Sequence, residues 1–427
     1  MRKDIRVERQ SLWWHPDFLK LWAGQAVSQF GTQVTYLALP LTAALLLKAT
    51  PVEMGVLAAA ETLPIGLVGL FAGVWADRSR RRPVLIAADI GRAILLGSVP
   101  LAAAIGRLHI VQLYVVAFLV GVLSVFFGVA YAPFLLTLVQ RERIVEGNSK
   151  LSMTESAANI AGPGLAGSLI QLATAPVAIL VDALSFLVSA LSLGLIRSPE
   201  PAPPAPERRG SIRREIGDGF RVVTRDRVLR AIAGCTGTWA FFDTVVLAVL
   251  VLYVTRQLRV APGLLGLIFA SGSVGFLLGN LLVERATRRF GPGPVVMGAA
   301  VVSSLGGVLV AAARGPAIVA VAVLVVAQFT LGFGAGLYFI VTAGLQQLAT
   351  PDHAQGRVNA SMRVLSQGVR PAGAVVGGIL GAHIGLQPTL VVGAAGGVVG
   401  FLWVWFSPLR TLRDQPAPAE AMGTTLL

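Results

Sequence analysis

The feature that most constrains this chain is a series of twelve apolar segments, each near twenty residues long and separated by short polar turns. An α-helix rises about 1.5 Å per residue, so about twenty residues cross the roughly 30 Å hydrocarbon core of a bilayer. The composition agrees, because 55% of the residues are hydrophobic and only 13% are charged. The sequence therefore predicts an all-α membrane protein with the lipid bilayer as its solvent.

The twelve predicted transmembrane helices form two groups of six. They cover approximately residues 19–47, 52–75, 84–105, 110–138, 148–171, 176–196, 230–254, 263–283, 294–313, 317–346, 359–383 and 388–407. The boundary is a hydrophilic stretch that opens with a proline-rich, extended segment and continues with arginine-rich, amphipathic sequence. The predicted domains are an N-terminal six-helix bundle (1–196), a cytoplasmic linker (197–229), a C-terminal six-helix bundle (230–407) and a cytoplasmic tail (408–427).

Lysine and arginine are distributed unequally between the two sides of the membrane. Most of the 35 basic residues lie in the N-terminal segment, in the loops that follow spans 2, 4, 6, 8 and 10, and in the C-terminal tail. The loops on the other side hold only Lys48, Arg107, Arg256, Arg259 and Arg314. This bias places both termini in the cytoplasm and explains the net charge of +14 without nucleic acid as a partner. No short apolar core with a cleavage site follows the first ten residues, so we expect no cleaved signal peptide.

The two halves of the chain resemble one another. Residues 76–82, after span 2, match residues 283–289, after span 8. Three residues around span 5 recur 211 positions later around span 11: Asn148, Gly162 and Gly167 match Asn359, Gly373 and Gly378. Two pseudo-symmetric six-helix bundles are the plan of many secondary transporters, whose cargo site lies between the halves.

Two of these segments resemble signatures of the major facilitator superfamily. The run from Gly73 to Arg82 is similar to the family's signature between helices 2 and 3, although Arg80 stands where the family has glycine. The weaker copy around Glu284 lies where the family has its second copy. In span 5, the run from Gly162 to Gly167 is similar to the Gly-Pro-rich signature of the family's exporters, and this resemblance favours export.

Two further segments narrow the resemblance. Residues 356–360, entering span 11, and residues 182–186, in span 6, resemble the branch of the superfamily that contains enterobactin exporters and macrolide efflux proteins. The resemblance covers nearly the whole chain.

The resemblance implies a conformational gate on the cytoplasmic side, which latches the halves together when the cavity opens outward. Its residues are Gly73, Asp77, Arg78, Arg81, Arg82, Glu284 and Arg285. Asp77 facing the positive N-terminal end of span 11 would gain roughly 0.3–1 kcal/mol. The alternative is that these charges only set the topology. In the family, helices 2, 5, 8 and 11 form the seam, where Gly162, Pro163 and Gly167 lie; their small residues would permit rocking or merely tight packing.

The resemblance also places the cargo wall on spans 1, 4, 7 and 10. Those spans carry aromatic side chains with few polar anchors, which suits an amphipathic organic molecule. The candidate cavity residues are Gln25, Gln29, Thr32, Tyr36, Phe127, Tyr131, Trp239, Gln328 and Tyr338. Ordinary helix packing is the alternative explanation for the aromatic residues.

Three ionisable residues inside the spans are candidates for proton coupling. Asp243 and Arg370 each lie roughly 17–20 Å from the cytoplasmic face at about 1.5 Å per residue, so they can pair. Glu61 lies on span 2, which adjoins span 11 in the family, and would compete for the same arginine. Such competition would make proton uptake depend on conformation. The alternative is a permanent buried pair, and for Asp182 we expect a structural hydrogen-bonding role.

The sequence lacks the residue patterns that other classes of function require. Cys235 is the only cysteine and the four histidines form no ligand-like pair, so we expect no disulfide and no metal. No GxxxxGK[ST] motif and no nucleophile–base constellation occurs, which argues against a nucleotide cofactor and against an enzyme. The chain is interpreted as an exporter of drug-like or siderophore-like molecules by proton antiport in a bacterial cytoplasmic membrane, for which a monomer is sufficient. The alternatives are an importer or facilitator of a small metabolite, and a lipid-handling protein without proton coupling.

Overall fold

A computed structural model describes residues 11–76, 79–139, 143–198, 200, 212–351 and 354–412, and these residues form helices and turns without a β-strand. The predicted all-α class is confirmed. The α-helices are α1 Pro16–Leu41, α2 Pro51–Ala76, α3 Arg81–Ala104, α4 Ile110–Leu138, α5 Ile144–Leu172, α6 Ala175–Gly194, α7 Ile212–Arg225, α8 Arg227–Leu252, α9 Pro262–Phe290, α10 Pro292–Ala312, α11 Ala317–Ala349, α12 Gln355–Gln367, α13 Arg370–His383 and α14 Leu386–Trp405.

Within the described residues, nine helices are long and apolar enough to cross a membrane on their own. They are α2, α3, α4, α6, α8, α9, α10, α11 and α14. The three remaining predicted spans coincide with α1, α5 and the pair α12–α13, which carry more polar side chains. Each of the twelve predicted spans therefore corresponds to helix, and α7 is an additional helix between spans 6 and 7.

Span 11 is interrupted near its middle. α12 ends at Gln367 and α13 begins at Arg370, although Gly368 (φ −67°, ψ −22°) and Val369 (φ −83°, ψ −18°) keep helical backbone angles. Pro371 has no N–H to donate to the carbonyl of Gln367, so the ladder of intrahelical hydrogen bonds is broken there. Sequence patterning predicted one continuous span, because a proline inside an apolar run does not change its hydropathy.

Helix contacts divide the molecule into two halves that meet at a seam. In the N-terminal half (α1–α6), α1 packs on α5 and α6, α3 packs on α4 and α6, and α2 packs on α4. In the C-terminal half (α8–α14), α8 packs on α13 and α14, and α11 packs on α9 and α10. Across the seam, α2 packs on α13 and α5 packs on α9. Because α9 is the repeat of α2 and α13 belongs to the repeat of α5, these two contacts are equivalent.

The end of the bundle at which Ser11 and Leu412 lie is called the terminal face, and the other end the opposite face. At the opposite face both halves carry the same turn. A π-helical turn at Thr42–Leu46 follows α1, and its repeat at Tyr253–Gln257 follows α8. Two residues after each turn the chain has a residue with positive φ, Lys48 (52°) and Arg259 (53°). The internal duplication thus extends to an unusual backbone conformation.

The arginine-rich stretch between the halves forms α7, which docks on the C-terminal half at the terminal face. α7 packs on α12 and α8. A methyl group on Gly219 would collide with the carbonyl oxygen of Arg357 and the hydroxyl of Ser361, so the two backbones approach closely. Val223 of α7 is buried in a cluster with Val358. The amphipathic stretch therefore lies against protein along at least this part of its length.

Candidate functional site

A cavity of about 910 Å³ lies between α1, α2, α3, α4 and α6 of the N-terminal half and α12 of the C-terminal half. Its wall is mostly apolar, with a few polar and charged groups. Those used below are Thr32, Tyr36, Glu61, Ser124, Asp182 and Arg363. A cleft of this size, with few polar anchors in an apolar wall, is typical of a site for a small organic molecule.

Close-packed glycines close the seam at the opposite face. A methyl carbon on Gly55 of α2 would lie 2.8 Å from the Cα atom of Gly378 on α13. In the equivalent contact, a methyl carbon on Gly167 of α5 would lie 2.9 Å from the Cα atom of Gly266 on α9. Only glycine permits such backbone approach, as in other tightly packed membrane helices. The cavity therefore has no exit along these two contacts.

Arg256 adds a polar contact across the same face. It belongs to the π-helical turn after α8, and its Nη2 donates to the carbonyl oxygens of Ala44 (3.1 Å) and Ala49 (2.8 Å) beside the turn after α1. Leu45 occupies the equivalent position in the N-terminal half and has no such donor. The hydrogen bonds from Arg256 therefore have no counterpart in the N-terminal half and break the internal symmetry.

The seam is open towards the terminal face. A methyl carbon on Gly66 of α2 would lie 3.8 Å from the Cα atom of Gly368, and one on Gly69 would meet nothing within 4 Å. Asn359 and Arg363 of α12 line the cavity and are exposed. The two halves thus separate from the middle of the molecule towards the terminal face.

Of the nine predicted cavity residues, Thr32 and Tyr36 line this cavity. Gln25 is instead buried and donates to Ser189 of α6 at 3.4 Å. Phe127 is buried and stacks on Tyr131 at 5.7 Å between ring centroids, inside the N-terminal half.

The residues predicted on the C-terminal half also lie away from the large cavity. Tyr338 is buried and shares a hydrogen bond of 3.1 Å with Thr236, and together with Trp239 it borders a separate small cleft within that half. Gln328 packs against Gly272. Gln29 is half-buried and is not part of the large cavity's wall. These seven residues do not line the large cavity in this conformation, and their place in the cargo wall stays a prediction.

The three predicted coupling residues lie around Tyr36. Glu61 lines the cavity, and Tyr36 lies within electrostatic range of Glu61, Asp243 and Arg370. Asp243 also interacts electrostatically with Arg370, but in the described residues the arginine has no contact ion pair with either acid. The Nε atom of Arg370 is buried without a hydrogen-bond partner. Tyr36 is therefore the common neighbour of the three groups, and of the two acids Asp243 is the one that interacts with the arginine in this conformation.

A second charged cluster lies inside the N-terminal half, and sequence reasoning missed it. Asp89 and Arg92 are buried on α3, one helical turn apart, and form an ion pair. Arg92 also interacts with Asp182 of α6, which lines the cavity. The signal was present in the sequence as an acid and a base three residues apart within an apolar span, a spacing at which helical side chains meet.

The side chains of the predicted gate residues that the structure describes bond within their own half, and the backbone N–H groups of Arg81 and Arg82 donate to the carboxylate of Glu200 in the linker. Arg82 donates to the carbonyl oxygens of Leu193 (2.9 Å) and Gly194 (2.5 Å), and Arg81 donates to that of Pro133 at 3.4 Å. The bonds from Arg82 cap the carbonyl end of α6 with positive charge.

The remaining gate residues are less connected. Glu284 pairs with Arg288 on the exposed surface of α9, where Arg285 is also exposed. Asp77 and Arg78 lie outside the described residues. Gly73 is part of α2, and the structure gives no description of its surroundings.

The span 5 signature contributes to two different contacts. Gly162 faces Gln33 of α1 within the N-terminal half, whereas the carbonyl oxygen of Pro163 and the backbone of Gly167 face Gly266 across the seam. Two of the three predicted seam residues therefore lie at the seam in this structure.

Comparison with known proteins gives consistent matches. Residues 13–426 match the family described as transmembrane secretion effector of the major facilitator superfamily. The chain is 27% identical to the multidrug efflux pump Tap of Mycolicibacterium fortuitum over 79% of this chain and 83% of Tap. It is 23% identical to macrolide efflux protein A of Streptococcus pyogenes over 63% of this chain and 66% of that protein.

The fold is similar to the crystal structure of a bacterial homologue of the iron transporter ferroportin in its inward-facing state. The TM-score is 0.72 at 17% identity, over 93% of this chain and 99% of that one. At this identity the likeness concerns the fold alone.

Proposed function

We propose that this chain, which belongs to the transmembrane secretion effector family of the major facilitator superfamily, exports amphipathic organic molecules by alternating access. Membership confirms the predicted superfamily and makes the chain a multi-pass membrane transporter rather than an enzyme. The observation that carries the proposal is the cavity of about 910 Å³ between the halves, open at one face and closed at the other. Similarity to Tap, a multidrug efflux pump, supports export over import.

The proposed orientation follows from charge. The terminal face carries most of the lysines and arginines, so the positive-inside rule assigns it to the cytoplasm of a bacterium and the opposite face to the outside of the inner membrane. The structure then corresponds to an inward-facing state, in which cytoplasmic or membrane-dissolved cargo reaches the cavity. A single chain forms both halves of the pathway, so the transporter acts as a monomer.

Proton coupling is assigned to the group around Tyr36. A charge inside the bilayer is costly unless it is paired or reaches water, so Glu61 and Asp243 compete for the cation of Arg370. Closing the cytoplasmic side moves α2 relative to α8 and α13, which belong to the other half, and so changes the distance between Glu61 and the arginine. The acid that loses this partner takes up a proton, and the one that gains it releases a proton.

Two contacts exchange during the transport cycle. In the inward-facing state the glycine contacts and Arg256 hold the opposite face closed. In the outward-facing state those contacts separate, and the segment from Gly73 to Arg82 meets the N-terminal end of α12. Asp77 and the helix dipole supply an attraction there that is absent while the cytoplasmic side is open.

Export through this cavity is tested by filling it. Gly128 lines the cavity, and a Cβ atom there would meet nothing within 4 Å, so a larger side chain can start into open space. Gly128→Trp should leave folding intact and abolish the difference in accumulation of fluorescent amphiphiles between expressing cells and empty cells. Gly298 also has open space around it but lies outside the cavity, on the exposed surface of α10, so Gly298→Trp is the matched control. Equal efflux by both variants would contradict the proposed pathway.

A further inference from the structure

The Asp89–Arg92 pair is held rigidly inside the N-terminal half. The Arg92 guanidinium lies between the rings of Phe127 on α4 (4.4 Å to the centroid) and Phe186 on α6 (4.1 Å). Its Nη1 lies 3.5 Å from the hydroxyl of Ser124 on the cavity wall. Two buried atoms of the pair, Asp89 Oδ2 and Arg92 Nε, have no hydrogen-bond partner. The two aromatic contacts fix this cation in place.

Asp182 connects this pair with the cavity. Its side chain is 1% exposed, accepts a hydrogen bond from Ser185 at 3.0 Å and lines the cavity wall. A methyl group on Gly31 of α1 would collide with the carboxyl oxygen of Asp182, so the glycine makes room for it. Thr35 Oγ1 lies beside the carboxyl and is buried without another hydrogen-bond partner. This hydroxyl can donate to the ionised carboxylate or accept from the protonated acid, so it accommodates both states of Asp182.

The cluster contains two acids and one base. With both carboxylates ionised it carries one net negative charge, and an uncompensated charge in the membrane interior costs several kcal/mol. The charged groups that interact with Asp182 are Arg92 and Asp89. Other ionisable groups on the surrounding helices are engaged elsewhere or lie across the cavity: Asp17 pairs with Lys20 on α1, Glu155 neighbours Tyr131, and Glu61 lies on the opposite cavity wall.

One positive charge restores neutrality, and either a proton on Asp182 or a cation in the cavity supplies it. We propose that Asp182 recognises the positive charge of an amphipathic organic cation and exchanges its proton for that charge, while the Asp89–Arg92 pair acts as a positioning element. This inference rests on the proposed export function and gives its cargo a chemical class. Tyr36, 55% exposed towards the cavity, offers an aromatic face to such a cation.

The test uses the purified full chain in lipid nanodiscs and tetraphenylphosphonium, a cation that cannot itself carry a proton. Titration calorimetry in buffers of different ionisation enthalpy gives both the affinity and the number of protons released. The wild type should release up to about one proton per bound cation, by linkage between the two equilibria. Asp182→Asn should bind at least about tenfold more weakly, because a buried charge partner is lost, and should release none from this cluster.

Three further variants make the assignment specific. Glu155→Gln removes an exposed acid of the same half that does not line the cavity, and it should retain the release. Asp182→Glu keeps the acid and should also retain it. Arg92→Gln removes the cation and should move the midpoint of the release profile to higher pH, a change that a purely structural role does not produce. If Asp182→Asn does not fold, the pH profile of proton release in Arg92→Gln tests the assignment in its place.

Two results would overturn the inference: binding by the wild type without proton release, or an unchanged profile in Arg92→Gln. A failure of the proposed export function can be distinguished from a failure of this inference, because binding in nanodiscs does not depend on the direction of transport. Cells that expel no compound while these nanodisc results hold would contradict export alone.

Discussion

Asp17 fastens the start of α1 to the segment that follows α6. Its carboxylate accepts hydrogen bonds from Lys20 Nζ (2.8 Å), from the backbone N–H of Arg197 (3.2 Å) and from the hydroxyl of Ser198 (2.7 Å). Burial alone would raise the pKa of Asp17, but these hydrogen bonds outweigh it and hold the pKa well below its usual range. A carboxylate with several donors is favoured in its charged form. One residue thus ties together the two ends of the N-terminal half.

Asp17→Asn should therefore destabilise the protein by roughly 1–3 kcal/mol at neutral pH, because charge-assisted hydrogen bonds are lost. The folded-state pKa lies below the unfolded value, so this contribution is present above the unfolded pKa of about 4 and is lost as the pH falls further. Intrinsic tryptophan fluorescence during thermal unfolding measures the difference. The difference between wild type and variant should shrink as the pH is lowered below about 4, and a pH-independent difference would contradict this explanation.

At the scale of elements, the turn after α8 differs from its repeat after α1 because only Arg256 donates hydrogen bonds across the seam. Arg256→Leu places at this position the residue that the N-terminal half has at Leu45. Loss of two hydrogen bonds from a charged donor should favour opening of the opposite face by roughly 1–2 kcal/mol, about a five- to thirtyfold change in the equilibrium. Spin-label distances between Leu46→Cys and Leu264→Cys, in a Cys235→Ser background, should show a larger long-distance population.

Arg259→Asn is the matched control for this measurement. Arg259 follows the same turn but has no hydrogen bond across the seam among those described, and asparagine tolerates its φ of 53°. Equal distance distributions in Arg256→Leu and the wild type would show that the glycine contacts alone hold this face closed.

Sequence patterning located the elements because hydropathy and length determine where a membrane helix begins and ends. It did not determine how each helix is rotated. Of the residues proposed on span 1, Thr32 and Tyr36 line the cavity in this structure, whereas Gln25 faces α6. Lipid and the bundle interior are both apolar, so no hydrophobic stripe marks which side of the helix faces the cavity. Sequence reasoning missed the Asp89–Arg92 pair for a related reason. A charge pair within one helix is locally neutral, and the sequence does not show which other helices surround it.

At the scale of the whole molecule, the duplication gives the seam two equivalent contacts, α2–α13 and α5–α9. In the proposed alternating-access cycle, a rocking motion of the halves would loosen or tighten both contacts together. The cavity lies mainly against the N-terminal half, with α12 as the wall of the other half. The interruption before Pro371 separates this wall from the glycine-rich segment α13 and allows the two parts of span 11 to adjust differently.

The central claim is that cargo export consumes a proton gradient through the seam acids. Its most direct test uses inside-out vesicles that hold a proton gradient, with the pH difference followed by dye fluorescence while amphipathic cations are added. Cargo should dissipate the gradient in the wild type, and Asp243→Asn or Glu61→Gln should abolish this effect. A wild-type protein that moves these cations while the gradient stays unchanged would contradict proton-coupled export.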